Sequence, residues 1–337
     1  MKQFLRWIFI LISALAGLLA TGWAAGALYF DLPAPAPVRV AAAILWAVAV
    51  PSVLIYNRFQ WRVLTAVALV FLLVLGWWLT LQPRLDRDWK PGLAVLPYAV
   101  WQNDDKVVVH NVRNFEYRTE TDFTPRYETR TYQLSQLRGI DAFQTYWGSP
   151  AMAHPIMSFD FGPQGRLAFS IEARYEKGET YSPIGGIYRK YEIIALAADE
   201  RDVVRLRTNI RSGEDAYLYR LNVVPETARM RFREYISTIN ELKDHPRWYN
   251  AITHNCTTTV RNQLDADARP PWDWRIVVTG YADEMLYESG SLDQSVPFAE
   301  LKKRAHINAR AIAAGNAPDF SEQIRTHLTP RPESSQK

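Results

Sequence analysis

Three long apolar stretches at the N-terminus constrain this chain more than anything that follows. From Trp7 to Phe30, from Val38 to Tyr56 and from Val63 to Leu81 the sequence is nearly free of charge, and each stretch reaches the roughly 20 residues a helix needs to cross a bilayer. The first follows Lys2 and Arg6, as the core of a signal peptide would. It is much longer than the roughly 7–15 apolar residues of such a core, so it reads as a retained membrane helix. Lys2 and Arg6 precede the first stretch and Arg58 and Arg62 separate the second from the third, whereas Asp31 to Pro37 carries no cation. The positive-inside rule then sets the N-terminus and the Arg58 loop in the cytoplasm and delivers everything after Leu81 to the outside. Trp77 and Trp78 suit the outer interfacial belt or, equally, a helix contact.

The exported remainder is long enough for a sizeable core, since the 337-residue chain is 48% hydrophobic and 13% aromatic. A formal net charge of +4, with arginines scattered among acids and aromatics, argues against nucleic acid as a partner. Anionic phospholipid headgroups are the more compatible surface for a tethered domain. The sequence divides into a membrane anchor over 1–82, an exported domain over 83–327 and a disordered tail over 328–337. Within the exported part, Pro83 to Pro97 reads as an extended connector and Lys106 to Val112 as a strand. Asn114 to Arg130, with Phe115, Tyr117, Phe123 and Tyr127 set among charges, reads as half-buried strands or an aromatic loop layer.

The most legible element is a hairpin. Met157, Phe159 and Phe161 alternate with polar neighbours, Gly162-Pro163-Gln164-Gly165 supplies the turn, and Leu167, Phe169 and Ile171 alternate again. Matching apolar faces pairs odd with odd positions. With Phe161 opposite Leu167, Glu172 lies across from Ile156 and one diagonal step from His154. Tyr188 to Ala197, Val203 to Leu206 and Ala216 to Val224 read as further strands. Pro225-Glu226 opens an amphipathic helix whose Met230, Ile236, Ile239 and Leu242 share a face, and His245-Pro246 stops it. A second helix is expected from Asn255 through Val260 and Leu264 to Ala268, against the poor propensity of Thr257, Thr258 and Thr259. A third is expected from Phe298 to about Ala314. The fold class is therefore α+β, an antiparallel sheet with packed helices behind three transmembrane helices.

Cys256 is the only cysteine. In an oxidising compartment it has no intramolecular partner, which leaves a small buried core thiol or a nucleophile. If the second helix starts at Asn255, Cys256 lies in its first turn, where the helix dipole and free N–H groups favour a thiolate and can serve an oxyanion. The candidate bases are His254, tied to the same turn, and His154, at a strand head with Glu172 nearby to fix its tautomer. Asn255 is a helix N-cap that can also orient the oxyanion donors. His110, His245, His306 and His327 lack metal-ligand spacing, and no phosphate-cradling glycine loop or Gly-x-Ser-x-Gly elbow is present, so neither metal nor cofactor is expected.

Asn111 to Glu120, His154 to Phe161, Ser170 to Arg174 and Asn250 to Thr259 resemble the Lnb N-terminal periplasmic domain family, with the likeness running from about Arg87 to Arg310. That family takes its name from a bacterial lipoprotein N-acyltransferase. The resemblance implies a circularly permuted papain-like fold, related to the NlpC and lecithin:retinol acyltransferase folds, in which a strand-borne His precedes a helix-borne Cys. It implies Cys256 as acyl-accepting nucleophile, His154 as its base and Glu172 as the third group. It further implies a bacterial inner-membrane protein with a periplasmic C-terminal domain, acting on membrane phospholipid and a lipoprotein amine. A cell-wall thiol peptidase or amidase, and a non-catalytic periplasmic binding module, remain the competing readings.

Overall fold

The computed structural model describes residues 1–262, 269 and 271–328. They form two compact units, one of residues 1–85, 181–192 and 248–250, the other of 86–180, 193–247 and the described residues from 251 onward.

The first unit is built on α1 (Lys2–Phe30), α2 (Ala36–Tyr56) and α3 (Trp61–Thr80). All three are long and apolar enough to cross a membrane, and α1 packs against both of the others. At the C-terminus of α1, the Asp31 carboxylate accepts from Trp78 Nε1 at 2.6 Å and from the Arg189 backbone N–H at 3.1 Å. Burial lifts that carboxyl to about 6 despite these bonds. The Arg189 guanidinium donates to the carbonyls of Trp78, Leu79 and Leu81 at 2.7, 3.0 and 2.7 Å, satisfying acceptors that a helix end leaves without intrahelical partners. Trp78 serves as a helix contact, its ring edge-on to Trp23 at 5.2 Å. Phe30 stacks on Tyr188 at 5.1 Å.

The second unit carries the strands β1 (Tyr98–Trp101), β2 (Lys106–Arg113), β3 (Glu116–Tyr117), β4 (Phe123–Thr124), β5 (Tyr127–Gln133), β6 (Gly139–Trp147), β7 (Ser149–Asp160), β8 (Arg166–Arg174), β9 (Glu192–Ala198) and β10 (Glu214–Arg220). Its helices are α4 (Glu200–Val203), α5 (Pro225–Asp244), α6 (Cys256–Asn262), α7 (Ala282–Glu288), α8 (Phe298–Ala305), α9 (Asn308–Ala314) and α10 (Phe320–Gln323). The main sheet runs β1-β2-β9-β8-β7-β6-β10, with β5 also on β2, and β3 and β4 form a separate ribbon. The hairpins β1–β2, β6–β7 and β7–β8 pair antiparallel, while β2 meets β9 in parallel at Arg113 and Ala198. This is the α+β architecture expected from the sequence.

Alternation along β7 directs side chains to two different layers. On one face Phe143, Ile156, Ala168 and Leu218 pack with Val203, Val204, Ile307, Ala311, Phe320 and Ile324. On the other, Phe159, Phe161 and Phe169 meet Phe232 and Tyr235 of α5, with ring centroids 5.0–5.3 Å apart in the closest pairs. The buried stripe of α5 is Ala228, Phe232, Tyr235, Ile236, Ile239 and Leu242. Met230 is exposed, because it stands two residues from both Ala228 and Phe232 and so on the far side of the helix.

Several sequence expectations are corrected. Val203 to Leu206 is not a strand: α4 and a π-helical turn over Leu206–Ile210 occupy this stretch. Asp199 caps α4 by accepting from Arg201 N at 2.9 Å, and buried charges hold it from two sides. Asp202 accepts from Arg113 Nη2 at 2.8 Å and from Phe115 N at 2.7 Å. Glu200 accepts from Arg325 at 2.5 and 2.7 Å and from Ser158 Oγ at 2.5 Å. The expected strand from Tyr188 begins only at Glu192, and the one expected over Ala216 to Val224 runs over Glu214–Arg220. The single helix expected from Phe298 to Ala314 is broken at His306 and Ile307, where Ile307 N donates to Ala216 O and His306 bridges Tyr217. The segment after Asp86 is no loose connector, since Trp89 and Leu93 are buried and the Arg174 guanidinium lies 4.1 Å over the Trp89 ring. The expected end of the second helix, Leu264 to Ala268, and the tail after Leu328 lie outside the described residues.

Arg325 also binds Asp141 Oδ2 at 2.8 Å, so a single guanidinium serves two buried carboxylates. Arg325→Ala leaves both without it and is expected to destabilise the domain by about 3–5 kcal/mol, read as a lowered midpoint in denaturant unfolding.

Candidate active site

The β7–β8 ladder pairs Phe159 with Leu167 and ends at Ile156 and Ser170. The expected register, with Phe161 opposite Leu167, is therefore two residues out. Parity was right but offset was not: Phe161 N donates to Gly165 O, which draws Phe161 into the turn. Carried one step past its end, the observed register sets Glu172 directly in line with His154. The strand pair stops there, and α6 packs against both β7 and β8.

His154 is anchored from the other side by β6, where Thr145 is its Cα partner. The residue before it is tied by Ala153 N donating to Thr279 Oγ1 at 3.0 Å. Next to Thr279, a Cβ on Gly280 would run into Pro150 O and the Ala151 backbone, so this approach requires glycine.

The local fold around Cys256 is a reciprocal cap. Asn255 Oδ1 accepts from the N–H groups of Thr257 at 2.9 Å and Thr258 at 2.8 Å, while Thr258 Oγ1 accepts from Asn255 N at 2.7 Å. This is a capping box with threonine in the returning position. It explains how a threonine run of poor propensity starts a helix, and it makes Asn255 the N-cap that fixes the first turn. Asn255 Nδ2 donates to Ala251 O at 2.9 Å.

Cys256, in that first turn, is buried, as is His154. The Cys256 thiol is close enough to the His154 ring to favour its protonated form, and Sγ lies 3.9 Å from Thr257 Oγ1. On the acid side, His154 Nε2 is 2.7 Å from Ser170 Oγ and 3.2 Å from Glu172 Oε1. Ser170 Oγ donates to the same Oε1 at 2.6 Å. Arg207, from the π-helical turn, donates to Glu172 Oε1 at 2.9 Å and to Glu214 at 3.3 Å. Burial and the nearby Arg207 charge disfavour the charged ring, but the Glu172 carboxylate, with a smaller contribution from Cys256, outweighs them and holds the imidazole above its ordinary value. Burial likewise opposes the Glu172 carboxylate, and His154 and Arg207 overcome it, holding the group well below the usual range.

Cys256, His154 and Glu172 are thus brought together from three separate elements, with Asn255 beside them as cap. His254 is not: it is exposed, its Nδ1 2.9 Å from Thr253 Oγ1. Sequence reasoning missed Ser170 and Arg207. Ser170 had a signal, because it stands two residues before Glu172 and so on the same strand face. Arg207 had none, since it lies just past the strand expected over Val203 to Leu206, in a π-helical turn over Leu206–Ile210 that the sequence does not announce. Among the described residues no group of three His, Cys, Asp or Glu side chains is set to hold a metal ion.

Fold and site together define a membrane protein whose α+β domain sets a buried cysteine against a histidine and a carboxylate. Residues 123–280 match the family model described as Lnb N-terminal periplasmic domain, so this stretch is similar to the periplasmic domains of that family. The matched stretch includes Cys256, His154 and Glu172. No curated protein and no solved structure matches the chain.

Two predictions follow from this geometry. Gly280→Ala is expected to cost about 1–3 kcal/mol through the forced backbone shift, measured by thermal melting. The Glu172 contribution to stability is present above its ordinary value of 4.5 and lost as pH falls below it, whereas the His154 contribution is present below its ordinary 6.5 and lost as pH rises past its raised value. The loss in melting temperature caused by Glu172→Gln is therefore expected to be greatest in the weakly acidic window between these limits and to shrink on either side.

Proposed function

We propose that the protein is a membrane-anchored periplasmic cysteine acyltransferase, and the observation that carries this reading is a buried Cys256 on a helix packed against the two strands that bring a buried His154 to Glu172. In this reading Cys256 is the nucleophile, His154 the general base and acid, and Glu172 the group that steadies the imidazolium. Asn255 fixes the turn that presents Cys256, and since the Thr257 and Thr258 N–H groups are bonded to its Oδ1, the Cys256 N–H is the donor this turn offers to the oxyanion. The chain order His154, Glu172, Cys256 supports kinship with circularly permuted papain-like domains. The anchor has its N-terminus in the cytoplasm and crosses the bacterial inner membrane three times, consistent with the short-loop cations.

The reaction proceeds by two displacements. The Cys256 thiolate adds to the ester carbonyl of a membrane phospholipid; the C–S bond forms, the ester C–O bond breaks, and His154 protonates the departing lysophospholipid oxygen. A lipoprotein amine then attacks the thioester. The C–N bond forms, the C–S bond breaks, His154 takes the amine proton and the thiolate is restored. Tethering supports this donor, because it keeps the domain at high effective concentration beside lipid.

Cells carrying Cys256→Ala are expected to lose lipoprotein N-acylation entirely, and wild-type protein incubated with phospholipid and a poor acceptor is expected to show an acyl mass on Cys256. Unchanged lipoprotein acylation in the variant strain would overturn the reading. New fragments from purified peptidoglycan treated with the full-length protein would favour a thiol peptidase or amidase instead.

A further inference from the structure

The hydrogen bonds on the acid side of His154 determine which ring nitrogen carries the proton. A serine hydroxyl has one proton to donate, and an ionised carboxylate can only accept. Glu172 is held as a carboxylate, so the Ser170 proton is committed to Glu172 Oε1 at 2.6 Å. At its 2.7 Å contact with His154 Nε2, Ser170 Oγ therefore has only a lone pair to offer. Nε2 must be the protonated nitrogen, as its 3.2 Å approach to Glu172 also requires. In the neutral ring this leaves the lone pair on Nδ1, so that nitrogen is the one that can accept a proton.

We propose that Ser170 and Arg207 are positioning residues of the thiol site: the Ser170 hydroxyl relays His154 Nε2–H to Glu172, Arg207 pins that carboxylate, and together they turn Nδ1 toward Cys256. The proposal deepens the cysteine-nucleophile reading and rests on it for its functional meaning. The relay is shorter at both steps than the direct His154–Glu172 contact, so Ser170 is the main link between ring and acid. Ser170 is wholly buried and Arg207 nearly so, and no water is needed to complete the chain. Oε1 of Glu172 accepts from Ser170 and Arg207 and lies 3.2 Å from His154 Nε2, so one oxygen gathers all three side chains.

The charged groups that bear on the relay come from every neighbouring element. From β8 there is Glu172; from the π-helical turn and the residue after it, Arg207 and Arg211; from the start of β10, Glu214, which pairs with both arginines at 3.3 Å. Arg113 at the end of β2 acts on Glu172 at longer range. Cys256 comes from α6, with the Tyr235 phenol of α5 in its field.

Because Cys256 is the only cysteine, its alkylation by iodoacetamide, followed by mass spectrometry on the full-length protein in detergent, reports the relay without reference to acyl transfer. Ser170→Ala is expected to slow alkylation at neutral pH about tenfold, the worth of one buried hydrogen bond, and to move the acid limb of the pH–rate profile upward. Ser170→Thr should restore both. Arg207→Gln should also raise the acid limb, by letting Glu172 take a proton at higher pH, while Arg207→Lys should hold it in place. A merely structural role would slow alkylation equally at all pH values, and that result would overturn the proposal. Should the variants fail to fold, nitrogen-15 shifts of His154 in the wild-type protein decide the matter: an Nε2-protonated neutral ring supports the relay, and an Nδ1-protonated one defeats it. If the profiles shift as described but the wild-type protein transfers no acyl group, the proposed function fails while the relay stands.

Discussion

Everything at the thiol site depends on the offset between β7 and β8. A slip of two residues would keep each side chain on its proper face, and the aromatic layer against α5 would still find apolar partners. It would, however, set His154 opposite Arg174 or Ser170 in place of Glu172. In the first case the ring would face a cation, and in the second it would lose its carboxylate. The turn at Gly162 to Gly165, with Phe161 drawn into it, determines which of these pairings forms. The geometry of the site is thus set some eight residues away from it, in a loop with no chemistry of its own.

The parts of the fold legible in the sequence are those whose pattern survives without context. Pro225 and the apolar spacing behind it announce α5, and the three membrane-length helices follow from charge-free length alone. The Cys256, His154 and Glu172 grouping was legible because a lone thiol, a helix start and pleat parity each constrain one member. What stayed hidden depended on distant partners. Glu200 and Asp202 look like ordinary surface acids until Arg325 and Arg113 arrive from remote chain positions, and the run Val203-Val204 then reads wrongly as strand. The break between α8 and α9 is hidden in the same way, since it exists to pair with the edge of β10. The three threonines after Cys256 looked like a defect of helix propensity until Thr258 proved to be half of the cap.

The buried charges also bear on the site. Asp202 is pinned by Arg113 on one side of α4 and Glu200 by Arg325 on the other, and the π-helical turn that presents Arg207 follows within a few residues. Turns of this type are rare and cluster at functional positions. Here the turn follows directly from a short helix that is held at two points by desolvated ion pairs. Such pairs add little net stability but make alternative placements costly. A rigid support of this sort matters more for Arg207 than for any core residue, because its task is directional.

The helical unit is assembled from three separate pieces of chain, 1–85, 181–192 and 248–250. Its inner pieces are inserted between β8 and β9 and between α5 and α6, the helix that carries Cys256. Cutting the chain after residue 85 to obtain a soluble domain would strand both insertions: Arg189 would lose Asp31 and the α3 carbonyls, and Tyr188 would lose Phe30. The membrane helices are therefore not a detachable leash. They are the folding partner of chain segments 181–192 and 248–250, which belong to the same compact unit.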